Sequence, residues 1–186
     1  MNVTAAEALS RTLLLTRDFV RDARIEDEEI VGALRATSIC VVADLQEDAG
    51  AFGTAFVRTL TRLAAMLGMQ VRLVLPAWAA VNAEVGRFVA DSVPGARLVL
   101  DRAPADGDLV FVLGTREVPS LESEAWLVSG SDWSARLSRL GTGHDVSAST
   151  LPFGAAIAAV LCCMEAYKST LRRLQPSEFL FLTDAV

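Results

Sequence analysis

Residues 38–76 read SICVVADLQEDAGAFGTAFVRTLTRLAAMLGMQVRLVLP, and the punctuation of this stretch decides the fold. Ser38 to Asp44 is a short β-prone run, followed by a loop from Leu45 to Gly53. Thr54 to Leu67 then reads as a helix, and Gly68 stands where a helix-ending C′ glycine belongs. Gln70 to Leu75 is a second β-prone run, closed by Pro76. Strand, helix and strand at this spacing make a βαβ unit with a right-handed crossover.

Working outward, the same alternation repeats. Trp78 to Val93 reads as a further helix, ended by Pro94-Gly95, and Ala96 to Leu100 as a third strand. Asp108 to Leu113 is a strongly apolar fourth strand and Ala125 to Ser129 a fifth. Unbroken apolar runs belong to strands buried on both faces, so the expected fold is a doubly wound, mostly parallel α/β sheet with helices on both faces, of Rossmann-like type. Upstream, Thr4 to Asp22 sets Leu9, Leu13, Leu14 and Phe19 among Arg11, Arg17 and Arg21, an amphipathic helix, and Asp27 to Leu34 predicts a second short one. Downstream, SDWSARLSRLGTGHDVSAST predicts a loop with one helical turn at Trp133 to Arg139, and Glu178 to Thr183 a last strand. The expected organisation is one domain over residues 1–186, with a helical segment at 1–36 and an α/β core at 37–186.

Composition narrows the partners. With 186 residues, 52% of them hydrophobic, the chain can fill one core and has apolar surface to spare for an interface. A net charge of −6 argues against general affinity for nucleic acid or an anionic membrane. No cationic stretch precedes an apolar run at the N-terminus, so the cytoplasm is the expected location. Cys40, Cys162 and Cys163 form no C-x-x-C pair and His144 is the single histidine, which leaves no metal set and makes the thiols small core residues.

One later stretch, LPFGAAIAAVLCCMEAYK at Leu151 to Lys168, predicts a central helix. It opens with a proline tolerated in a first turn and carries no charge from Phe153 to Met164, so it is expected to be buried on every face; those 12 residues are too few to span a bilayer. Pro152, Gly154, Met164, Glu165, Ala166 and Lys168 follow the order proline, glycine, small-residue helix, then Met-Glu-Ala-x-Lys. In this order the chain resembles the late helix of the ThiF/MoeB superfamily, adenylate-forming enzymes that activate ubiquitin-like and sulfur-carrier proteins.

That resemblance implies an ATP site after the first strand, where glycines let the backbone approach phosphates at a helix N-terminus. Gly50 and Gly53 are placed for it, but Asp44, Glu47 and Asp48 set carboxylates where a polyphosphate would sit. The family's ribose-holding acid after the second strand is replaced here by Leu75-Pro76-Ala77, and its aspartate after the fourth strand is missing from Leu113-Gly114-Thr115-Arg116. No cysteine between Gly114 and Thr150 could form a thioester. The implied function is an inactive adenylation-like scaffold without a cofactor, pairing as a homodimer or with an active adenylating enzyme, and through it with a ubiquitin-like protein. Arg11 and Arg17 are then the residues to face the partner, against the simpler reading of solvated arginines. The alternatives are an ATP–magnesium adenylyltransferase with an atypical or dimer-completed site, and a small-molecule-binding domain using Trp133, Arg136 and His144, with Ser129, Ser131, Asp132 and Asp145 nearby.

Overall fold

The computed structural model describes residues 13–14, 25–43, 50–75, 79–92, 96–100, 103–113, 125–139 and 150–174. Its sheet has six strands, β1 (Ser38–Ala43), β2 (Gln70–Val74), β3 (Arg97–Leu100), β4 (Leu109–Leu113), β5 (Ala125–Gly130) and β6 (Ala135–Arg139), in the order β3-β2-β1-β4-β5-β6. The first five are parallel and β6 is antiparallel to β5. The described helices are α1 (Asp27–Ala36), α2 (Gly50–Met66), α3 (Ala79–Ser92) and α4 (Phe153–Leu174).

The βαβ unit forms as its punctuation requires. Gly68 takes a φ of 78°, and the Gly68 and Met69 amides donate to the Ala65 and Ala64 carbonyls, so the last turn of α2 closes in a Schellman motif. α1 opens with Asp27, Glu28 and Glu29 against the positive end of its dipole and buries Ile30 and Leu34.

Strand parity sorts the core into two clusters. Ile39, Val41, Val71, Leu73, Phe111, Leu113 and Val128 face one way, and every described helix packs on that side. Cys40, Val42, Val110, Val112 and Leu127 face the other way and are also buried, but no described helix contributes to their cluster. Helices are therefore described on one face only. Between β3 and β4 the connection is residues 101–108, too short for the usual crossover helix. At its end Asp108, its side chain 2% exposed, accepts from Arg72 at 2.9 Å and from the Ala105 amide at 2.9 Å.

Two expectations change. Residues 135–139 form strand β6 rather than a helical turn: Ala135 and Leu137 alternate toward the core while the backbone pairs with the free edge of β5. α4 runs for 22 residues, long and apolar enough by composition to cross a membrane, yet it is not buried on every face. Half of its most apolar window lies inside the protein and half outside. The predicted helix at Thr4 to Asp22, apart from Leu13 and Leu14, and the predicted strand at Glu178 to Thr183 lie outside the described residues.

Candidate functional site

At the carboxyl edge of the sheet three pieces meet: the start of α2, the turn between β5 and β6, and the first turn of α4. Gly50 begins α2, and Phe52 and Gly53 in its first turn are buried. The Phe52 ring lies so close to Gly130 that an added Cβ would sit 2.8 Å from it. Asp44, Glu47 and Asp48 lie outside the described residues, so the structure places Gly50 and Gly53 at a helix start but gives no phosphate cradle around them.

The β5–β6 turn uses its polar groups on the chain itself. The Ser131 amide donates to the Ser134 carbonyl at 2.9 Å, and the two hydroxyls lie 2.7 Å apart. Asp132 Oδ1 accepts from the Thr150 and Leu151 amides at 2.7 and 2.8 Å, while the Asp132 carbonyl accepts from the Gly154 amide at 2.9 Å. One aspartate thus ties the turn to the entry of α4, satisfying donors that a helix start leaves open. Gly154 is required there, because a Cβ would collide with the Ser131 and Ser134 carbonyl oxygens.

Of the loop residues predicted to form a small-molecule site, the structure therefore brings Ser131 and Asp132 together beside Trp133 in an anchoring role. Arg136 is exposed on β6, opposite Ser129 in the register, and Ser129 is buried. His144, Asp145, Arg11 and Arg17 lie outside the described residues.

Sequence reasoning missed the outer side of α4. Phe153, Ile157, Val160 and Met164 are 48, 45, 45 and 50% exposed, and they follow one another at intervals of four, three and four residues. Such spacing draws one continuous stripe along a helix, the pattern of a coiled-coil seam. Trp133, 67% exposed, extends the stripe past the helix start by stacking on Phe153, ring centroids 4.5 Å apart and planes 10° from parallel. The signal was in the sequence as residue size, since these are four of the five large side chains, with Leu161, in a run otherwise of small residues.

No protein-family model matches this chain, and no curated protein matches it. The site must be read from its own chemistry. Among the described residues no group of three His, Cys, Asp or Glu is placed to hold a metal ion. All three thiols are buried. Burial, reinforced by the Asp108 carboxylate, pushes the Cys40 thiol from 9.0 up to about 12. Burial alone does the same to Cys163, and raises Cys162 well above the usual thiol range with help from Cys163. A thiol held protonated is a poor nucleophile, so these are packing groups. What the described site offers is an apolar surface braced at one end by a hydrogen-bonded turn.

Proposed function

We propose that this chain is a non-catalytic association domain: a Rossmann-like, doubly wound scaffold of the adenylation type that works by pairing with a second copy of itself along the outer stripe of α4. The observation that carries the reading is the stripe itself. Five large apolar side chains about half exposed amount to roughly 500 Å² on one protomer, so a two-fold pair would cover about 1,000 Å², the lower bound for a specific interface. A stripe on one helix is self-complementary under two-fold symmetry, and its seam spacing suits helix-on-helix contact. The adenylation-like part rests on the Pro152 to Lys168 sequence pattern, while Asp44, Glu47, Asp48 and Leu75-Pro76 argue against nucleotide handling.

Light scattering on the full chain tests the pairing. A dimer at micromolar concentration is expected, and Ile157→Glu or Val160→Glu should return it to a folded monomer, its circular dichroism unchanged and its melting temperature no longer dependent on protein concentration. A wild-type monomer at high micromolar concentration sinks the self-pairing; retention by anionic lipid vesicles would reassign the stripe to a membrane surface, and co-purification with an adenylating enzyme to a heterodimer. Calorimetry with ATP–magnesium tests the non-catalytic part. No binding is expected at millimolar ligand, and saturable binding weakened by Gly53→Glu would put the enzyme reading first.

A further inference from the structure

A second feature lies away from the α4 stripe and shares no residue with it. α2 and α3 lie side by side on the same face of the sheet, and between their outer surfaces is a cavity of about 530 Å³. That is within the usual range of roughly 300–1,000 Å³ for small-molecule sites. Its apolar lining comes from Leu63 and Met66 on α2 and from Val85 and Phe88 on α3. Val85 is buried and Phe88 is 37% exposed, so the surface runs from core to solvent within one helical turn of α3.

Charge is added to this apolar surface in two rungs. Arg58 and Arg62 stand one turn apart on α2, and Glu84 and Phe88 one turn apart on α3. The first rung is the Arg58–Glu84 ion pair, both side chains half exposed. The second sets the Arg62 guanidinium 5.6 Å from the Phe88 ring centroid. Among the described residues Arg62 has no carboxylate partner, so the cavity lining carries two cations and one anion, a net charge of +1 on a chain whose total is −6.

We propose that this cavity binds a monoanionic amphiphile, a carboxylate carrying an aliphatic body. The tail would lie against Leu63, Met66 and Val85, and the carboxylate would meet the Arg62 guanidinium, whose paired N–H donors suit a carboxylate and whose charge lies over the Phe88 ring. A polyphosphate fits less well, because Glu84 holds a carboxylate at the same opening and Arg58 is already paired. A cationic amphiphile would face an unmatched guanidinium.

Titration calorimetry with decanoate on the full chain tests the site, with decanol and decyltrimethylammonium as neutral and cationic probes of the same tail. Decanoate should bind saturably below about 1 mM, at least about tenfold tighter than either control. Arg62→Leu should weaken decanoate about tenfold and leave decanol unchanged. Glu84→Gln, which releases Arg58, should strengthen it severalfold. Both cavity variants are on exposed surface, and an unchanged melting temperature shows that each is folded. The proposal is overturned if decanoate fails to saturate in that range, if decyltrimethylammonium binds as well, or if Arg62→Leu binds decanoate like the wild type. Decanoate binding that is lost in Ile157→Glu instead would place the amphiphile on the α4 stripe and likewise overturn it.

Discussion

On the inner side of α4 the chain places Gly154, Ala155, Ala158, Ala159, Cys162 and Ala166, and on the outer side Phe153, Ile157, Val160 and Met164. The small residues are buried and the large ones are half in water. Transfer energy alone would order them the other way, since a buried large aliphatic side chain is worth about 1.5–3 kcal/mol and an alanine far less. Shape decides instead. α2 packs more extensively on α4 than on any other element, and the β5–β6 turn touches the backbone of α4 at Gly154, where not even a Cβ would fit. A helix that is apolar all round therefore has two different faces: one fitted to its own core and one open to something else.

Breaking the inner face should have the largest effect. Ala158→Asp puts a carboxylate at a position 1% exposed, with no donor prepared for it, and should cost several kcal/mol, comparable with the ~5–15 kcal/mol that holds a domain together. The expected outcome is insoluble or unfolded protein, and a soluble variant with wild-type melting would remove α4 from the core. A gentler version is Ala159→Leu, apolar but too large. Overpacking should cost about 1–3 kcal/mol, read as a lower denaturant midpoint.

A third prediction uses the buried thiol of Cys163. Because the folded pKa of Cys163 is raised from 9.0 to about 12, folding favours its protonated form. Its contribution is intact below pH 9 and is lost as the pH rises from there toward 12, at about 1 kcal/mol per pH unit. Denaturation curves between pH 8 and 11 should fall less steeply for Cys163→Ala than for the wild type. Equal slopes would mean that the thiol is open to water. The smallest effect is expected outside: Met164→Gln should change monomer stability by less than about 0.5 kcal/mol while weakening self-association. A large loss of stability there would show that the stripe is core after all.

The two ends of α4 differ as well. At its start, hydrogen bonds from residues 150, 151 and 154 converge on Asp132. Near its end the buried Thr37 and Thr170 hydroxyls lie 2.7 Å apart, and Arg173 donates to the Ala36 carbonyl at 2.9 Å, joining α4 to the turn that enters β1. These contacts cross more than a hundred residues of chain at one end and about twenty at the other. No local pattern in the sequence announces either of them.

Sequence by itself determined the elements whose cause is local. Short β-prone runs gave β1 to β5, and Gly68, the one residue free to take φ of 78° there, ended α2. Cys40, Cys162 and Cys163 were legible as core because no C-x-x-C pair or histidine set competes for them and each lies in a short apolar run. What tertiary structure decided depends on neighbours distant in the chain. Residues 135–139 became a strand because the edge of β5 was there to pair with, and the Asp132 carboxylate found its donors only where residues 150 and 151 lead into α4. Which side of α4 faces water was set by the closeness of α2 and the β5–β6 turn, since packing volume is a property of facing surfaces and neither helix carries it alone.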